Sequence, residues 1–363
     1  TLSIAQRQLA EIARCLVRDA RVLILDEPTS SLPEQDVATL LQVVETLRDE
    51  GIAILYVSHH LDELFRVADK LVVLRDGAKV TEKPTTEWTE PGLVRAMLAK
   101  DLDEAYPWRA REIRSTVLNV TNLTASGITD VSVNGRSGEI VGLVGLAGAG
   151  RTELMKAIAG ASPASGEVRI DGRRMRAGSV LRAQRARVLL APEDRKRDGL
   201  VLTASVESNI FLGNLKPVSR AGVLRKRLMT RLATDITRRY RVRLGAVRQA
   251  VGELSGGNQQ KVVVARISER APRVALFDDP TRGVDVGAKA GIYEEIFSLA
   301  ESGATILLCS SDTDEVLAVS DRAYVMAGGR IVGEIARENF DRETILHLSS
   351  GGPVVKQNGT PTT

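Results

Sequence analysis

Along the first eighty residues, short continuous apolar runs are separated by stretches with a helical period. Ile4, Leu9, Ile12, Ala13 and Leu16 recur at helical spacing behind Ser3, a residue suited to an N-cap, so a helix is expected over 4–17. Val22 to Leu25 and Ile52 to Val57 are unbroken apolar runs, the pattern of strands buried on both faces. Leu40 to Leu47 reads as a helix between them, and Leu71 to Leu74 as a strand entering an Asp76-Gly77 turn. Strand, helix and strand in this order predict an α/β fold with a mostly parallel core sheet. Val117 to Val133 alternates apolar and polar residues, which predicts antiparallel strands. Arg225 to Arg248 carries arginines at helical spacing, the pattern of a solvated helix face or, alternatively, of a docking surface.

The apolar pattern occurs twice. Leu2-Ser3 returns as Leu254-Ser255, Arg21-Val22 as Arg273-Val274 and Asp26 as Asp278, always 252 residues on. Pro28-Thr29, Gly51, Ser58, Asp62-Glu63, Asp69 and Gly77 return as Pro280-Thr281, Gly303, Ser310, Asp314-Glu315, Asp321 and Gly329. The offset never changes, so the chain carries two copies of one module. The second copy extends well over a hundred residues upstream of Leu254, whereas one residue precedes Leu2. Thr1 is therefore expected to be a cut inside a domain. The expected organisation is the last part of a first module over 1–81, a linker over 82–115, a full second module over 116–349 and a flexible tail over 350–363.

Composition adds limits. The 363 residues are 43% hydrophobic and 26% charged, which excludes a disordered chain, and no apolar run approaches the ~18 to 20 residues of a membrane span. Fifty basic and 46 acidic residues give a net charge of +4, so no nucleic-acid partner is expected. Cys15 and Cys309 are too few for a disulfide framework or a zinc cage.

Candidate chemistry gathers at the strand ends. The apolar run Ile140 to Val144 enters Gly145-Leu146-Ala147-Gly148-Ala149-Gly150-Arg151-Thr152, followed by Glu153 and a helical pattern. This is the spacing of a phosphate-binding loop, whose glycines let backbone N–H groups curl around phosphates; a plain glycine turn is the alternative. Arg151 stands where a compact ammonium is expected, and a planar guanidinium is a different tool. Thr152 offers a hydroxyl to Mg²⁺. Asp278 and its counterpart Asp26 each follow an apolar run and are suited to the metal shell. Glu27 and Asp279 come next and could orient or deprotonate an attacking water, with Asp279 one methylene shorter. His59 is placed to meet a γ-phosphate, and Ser311 holds the same position in the second copy. Ser255-Gly256-Gly257-Asn258 opens a helix as an anion-binding start, while the first copy has Ser3-Ile4-Ala5-Gln6, with both glycines replaced.

Phosphate loop, Leu254 to Asn258, Asp278-Asp279-Pro280-Thr281 and Ser311, in that order, resemble the nucleotide-binding domain of ABC transporters. Gly145 to Leu154, Pro192 to Leu200 and Thr281-Arg282-Gly283-Val284-Asp285 are similar to the duplicated ATPase subunit of bacterial monosaccharide importers (the ribose, xylose and galactose class). The resemblance implies a P-loop fold of ABC type: a mostly parallel core sheet with antiparallel and helical subdomains, present here as one full cassette and part of another. It implies ATP and Mg²⁺ as cofactors, and hydrolysis that powers sugar import through a membrane permease, with a periplasmic or lipoprotein sugar-binding protein as an indirect partner. It also implies a peripheral position on the cytoplasmic face of the membrane. Pro192 to Leu200 falls where the family's glutamine loop meets the permease, with Glu193 in place of Gln.

In that family two cassettes face head to tail. Asp26, Glu27 and His59 would then work with Ser255 to Asn258 as the hydrolytic site. Gly145 to Thr152, Asp278, Asp279 and Ser311 would face the Ser3 segment as a weak nucleotide holder. No Phe, Tyr or Trp occurs between Arg109 and Ile210, so the family's aromatic platform for adenine is absent upstream of the loop. A nucleoside importer, or a soluble tandem ABC protein of translation or DNA repair, is the alternative; the short linker argues against the latter. A further alternative is a module that binds nucleotide without hydrolysing it.

Overall fold

The computed structural model describes residues 10, 12–14, 20–29, 32, 34–58, 61–75, 77–89, 92–93, 96–97, 108–176, 178–284 and 286–349. The chain divides into two compact units, residues 1–105 with 285–287, and residues 106–284 with 288–363.

In the first unit, β1 (Val22–Asp26) pairs in parallel with β2 (Ala53–Val57) through the helix Glu34–Asp49. After the helix Leu61–Val67, β3 (Lys70–Arg75) and β4 (Ala78–Pro84) form an antiparallel hairpin. β4 reaches Pro84 and Leu93 packs with Leu71 and Val73, so ordered structure continues into the stretch read as linker. Leu23 and Leu25 bury against Leu40, Leu41, Val44 and Leu47 of the first helix. The other face differs from the expectation of burial on both sides. Val22 is 61% and Ile24 65% exposed, and Leu55 and Val57 are also open. Of the helix expected over 4–17, Ala10, Ile12, Ala13 and Arg14 are helical and the rest lies outside the described residues.

The second unit contains β5 (Thr116–Ala125), β6 (Ile128–Arg136), β7 (Ile140–Val144), β8 (Ala164–Ile170), β9 (Arg173–Met175) and β10 (Val188–Ala191). The short hairpin β11 (Ser219–Arg220) and β12 (Val223–Leu224) precedes β13 (Val274–Asp278), β14 (Thr305–Cys309), β15 (Arg322–Ala327) and β16 (Arg330–Ala336). The core sheet has the order β10-β13-β14-β7-β15-β16, parallel except for β16, and the antiparallel sheet has the order β6-β5-β8-β9. The alternation expected over Val117 to Val133 therefore forms β5 and β6, and the arginine-rich segment forms the helix Lys226–Arg239. That helix buries Met229, Ala233 and Ile236 and leaves its arginines in solvent, as a solvated face should.

Both faces of the core sheet are covered. Ala275, Phe277, Ile306 and Leu308 pack on helices through Val262, Tyr293 and Ile296. Val274, Leu276, Leu307 and Cys309 face the antiparallel sheet and the helix Arg151–Ile158 through Leu118, Leu123 and Leu154. β13 and β14 are buried at every residue, which is why they read as continuous apolar runs.

Candidate functional site

β7, buried throughout, delivers the chain to the glycine-rich turn and the helix Arg151–Ile158. Gly145 has φ +151°, and a Cβ there would run into the Met326 carbonyl oxygen. Gly150, with φ +101°, sits at the helix N-cap, where a Cβ would lie 2.8 Å from Ile128 and 2.9 Å from the Gly127 carbonyl. Neither position tolerates a side chain. Two hairpin tips hold the loop: the Gly329 N–H donates to Ala149 (3.1 Å) and the Thr129 N–H to Gly329 (2.8 Å). Gly148 lies in the exposed part of the loop, and the Glu153 side chain leans on Gly127.

The Thr152 hydroxyl donates to Asp278 Oδ1 (3.0 Å), which also accepts from the Cys309 thiol (3.0 Å). Asp278 Oδ2 is buried without a hydrogen-bond partner among the described residues. Burial pushes the Asp278 carboxyl up, and the bonds from Cys309 and Thr152 oppose it. Arg151 extends across to the β14 end, its Nη1 donating to the Ser310 carbonyl (2.8 Å). Asp279 is buried in the left-handed region (φ +50°); burial raises its carboxyl and hydrogen bonds from Ser311 oppose the rise. Gly145 to Thr152, Asp278, Asp279 and Ser311 thus gather at the carboxyl ends of β7, β13 and β14.

Ser255 caps the helix Gly256–Ser268 in position, although its hydroxyl accepts from the Asn258 amide (2.9 Å) instead of a backbone N–H. Asn258 Oδ1 accepts from the Arg243 N–H (2.7 Å), so this side chain locks the turn from both ends. Gly257 is buried and Gly256 half-buried. Among the described residues, no hydrogen bond or ion pair joins Ser255 to Asn258 with the glycine-rich turn.

In the first unit Asp26 and Glu27 end β1, both exposed, with Glu27 in the left-handed region (φ +45°). The Glu27 N–H donates to Val57 (2.8 Å), as Asp279 donates to Cys309 (2.9 Å). Ser3, the Ser3-Ile4-Ala5-Gln6 segment and His59 lie outside the described residues, as does the tail over 350–363.

Sequence reasoning missed Arg195. Its guanidinium donates to the Arg282 (2.5 Å) and Gly283 (3.1 Å) carbonyls, and a Cβ on Gly256 would meet it at 2.6 Å. Glu193 beside it is ion-paired to Arg282. One side chain therefore ties the segment after Pro192, the loop after Thr281 and the start of the Gly256 helix. The strings Pro192 to Leu200 and Thr281 to Asp285 were visible, but their contact joins residues almost ninety positions apart.

A family model described as "ABC transporter" matches residues 1–30 and 128–282. A ribose import ATP-binding protein (RbsA 2) of Streptomyces avermitilis is 44% identical over 96% of this chain and 70% of that protein. One from Corynebacterium glutamicum is 43% identical over 96% of this chain and 67% of that protein. Among solved structures, a dimeric ATP-binding cassette bound to ADP and Pi aligns with TM-score 0.52 at 20% identity, over 61% of this chain and all of that one, which shows the fold. On its sequence and its fold, the chain belongs to the ABC transporter family.

Proposed function

We propose that this chain is the ATP-hydrolysing subunit of a sugar importer, with ribose the sugar its relatives' names indicate. The observation that carries the reading is the Thr152 hydroxyl on Asp278 with a second, buried carboxylate oxygen left open beside a glycine-rich turn. A hydroxyl and one carboxylate fit Mg²⁺, which keeps waters and substrate phosphates as its remaining ligands. Thr152 and Asp278 would hold the ion, and when bound it would neutralise charge on the transferred phosphoryl group. The backbone N–H groups of Gly148 and Gly150 would cradle phosphate and Arg151 would supply a fork of donors, while the Ala149 N–H donates to the Leu146 carbonyl (3.0 Å).

In this reading Asp26, Glu27 and His59 serve the hydrolytic site of a tandem-cassette subunit, with Ser255 to Asn258 as its signature. Asp279 and Ser311, with the Ser3 segment opposed, serve a weaker one. Head-to-tail pairing is carried here by the motifs alone. Residues 1–81 stand for the corresponding part of a first cassette. The Pro192 to Asn209 region passes motion to a membrane permease, and a sugar-binding protein delivers the sugar. Among the described residues no helix is long and apolar enough to cross a membrane, and a peripheral position on the cytoplasmic face is part of the proposal.

Titration of the chain with ATP, with and without Mg²⁺, tests the central observation. Mg²⁺ is expected to tighten binding, and Thr152→Ala to remove most of that gain. Equal Mg²⁺ dependence in the variant would separate Thr152 from the metal and sink the assignment.

A further inference from the structure

The arginines are not spread evenly. Residues 169–187 hold seven arginines and one aspartate, a net of +6, whereas the whole chain carries +4. Residues 225–243 carry a similar charge, eight basic residues and one aspartate for a net of +7, so charge alone does not single out the stretch 169–187. That stretch folds into β9, the helix Val180–Arg185 and the approach to β10, around a surface hollow of about 720 Å³. Arg173, Arg174, Arg176, Arg182, Arg185 and Arg187 line it. Arg273 also lines it but is ion-paired to Asp171, and Arg174 lies 3.5 Å from Glu167. Among the described residues, Arg176, Arg182, Arg185 and Arg187 have no ion-pair partner, whereas Arg173 acts on the Asp171 carboxylate, which also lines the hollow.

The hollow is distinct from the glycine-rich turn. β10 and β13 run parallel with Val188 beside Val274, so Arg187 and Arg273 stand at their amino ends. Asp278 closes the carboxyl end of β13, and the glycine-rich turn follows the carboxyl end of β7 in the same parallel array. At ~3.3 Å per residue, about 16 Å of strand separates Arg273 from Asp278. Arg187 adds a second observation. It holds φ +58°, a conformation costly for a side-chain residue, while its carbonyl accepts the Arg273 (2.9 Å) and Val274 (3.2 Å) N–H groups. Glycine would adopt that turn without strain, yet an arginine stands there, facing the hollow.

We propose that this hollow is a second anion site, built for a small molecule bearing two or more phosphoryl charges. Unpaired guanidiniums grouped in one concavity repel one another, and a multiply charged phosphate relieves that repulsion by accepting forked hydrogen bonds from several of them. The volume lies in the range of small-ligand sites, and a concave surface favours such a ligand over an extended polyanion. The set contains no lysine, which favours planar phosphate recognition over a diffuse field.

Inorganic pyrophosphate without Mg²⁺ is the probe, titrated calorimetrically into the full chain carrying Arg151→Ala to weaken the glycine-rich turn. Saturable binding at one site is expected, at least about tenfold weaker once Arg182→Ser and Arg185→Ser are added, since each lost charged hydrogen bond is of that order. Arg187→Gly is expected to weaken binding while leaving the thermal midpoint unchanged or higher; an arginine needed only for the fold would lower the midpoint instead. Three results overturn the proposal: no saturable binding by Arg151→Ala, binding indifferent to the added substitutions, or capture by anionic phospholipid vesicles that pyrophosphate does not displace. Because the probe lacks Mg²⁺ and nucleoside, its failure is distinguishable from failure of the ATP reading.

Discussion

The two copies of the repeat have the same backbone and different surroundings. β1, β2, β3 and β4 recur as β13, β14, β15 and β16 with every boundary displaced by 252, as do the helices between them. Even the irregularity in the hairpins recurs, between Val73 and Leu74 and between Val325 and Met326. The Ser58 hydroxyl bonds Glu63 (3.0 Å) as Ser310 bonds Glu315 (3.3 Å). Burial does not recur. Val22, Ile24, Leu55 and Val57 are open, whereas Val274, Leu276, Leu307 and Cys309 are sealed by the antiparallel sheet and the helix Arg151–Ile158. β7 lies between β14 and β15, and without an equivalent strand among the described residues of the first unit, β1-β2 and β3-β4 form separate sheets. Local sequence fixes strand and turn, then; the covering layers decide which apolar residues are core.

The buried carboxylate after β2 and β14 shows the same divergence in polar chemistry. Glu63 takes its phenol from Tyr56 on the strand (2.8 Å), whereas Glu315 takes one from Tyr293 on the helix (2.6 Å). Leu308 and Leu41 fill the exchanged positions. Glu315 also accepts from Thr281 (2.6 Å) and Lys289 (2.5 Å), and Val37 stands at the lysine's place in the first copy. The largest effect expected is for Lys289→Met, which strands a buried charge at a cost of about 3–5 kcal/mol. Calorimetric unfolding checks it, and a loss below about 1 kcal/mol would show the pair to be unimportant. Burial raises the Glu315 carboxyl, but Lys289 and the hydroxyl donors outweigh it and hold it below the ordinary 4.5. Its contribution is therefore complete above pH 4.5 and is lost as pH falls through the lower folded value. Lys289→Met should flatten that acid limb.

A matched pair of truncations breaks the comparison at its centre. Leu276→Ala empties a site with no exposure and is expected to cost about 2–5 kcal/mol. Ile24→Ala, at the equivalent position 65% exposed, is expected within about 0.5 kcal/mol. Similar losses in urea melts would mean that the open face of the first unit is covered in solution.

Which parts were legible follows from the same division. A fixed offset and the apolar runs disclosed the strands and helices, because each reports local propensity. The glycine-rich turn and Asp278 were legible because backbone curvature there demands glycine and the strand end places the carboxylate. An apolar run at Val22 to Leu25 looks the same whether or not a layer exists to cover it, so the open face was not. Arg195 on the Arg282 and Gly283 carbonyls, the Glu193–Arg282 pair and the Tyr56/Tyr293 exchange are long-range pairings, which no periodicity records. Asn258 looked like a ligand contact in the sequence, and its amide pairings to Ser255 and from the Arg243 N–H are contacts that no periodicity records.

Smaller effects sharpen the contrast further. Gly256→Ala would place a Cβ 2.6 Å from the Arg195 guanidinium and 2.7 Å from the Gly283 carbonyl, an overpacking cost of about 1–3 kcal/mol. Combining it with Arg195→Ala should restore only part of the loss, since the Gly283 oxygen is backbone; full restoration in thermal melts would assign the whole clash to Arg195. The smallest effect belongs to the Arg66–Glu45 pair (2.7 Å), which lies in solvent in the first copy. Its equivalents are Ala318 and Phe297; Phe297 lies in the main core cluster of the second unit, and the partly buried Ala318 packs against it. Exposed ion pairs exchange one hydrated contact for another and are screened by salt, whereas a buried ring loses its packing outright. Arg66→Ala should therefore leave the thermal midpoint unmoved at high salt, while Phe297→Ala lowers it at any salt concentration. A salt-independent loss in Arg66→Ala would mean that the guanidinium stem, and not its charge, holds the helices Glu34–Asp49 and Leu61–Val67 together.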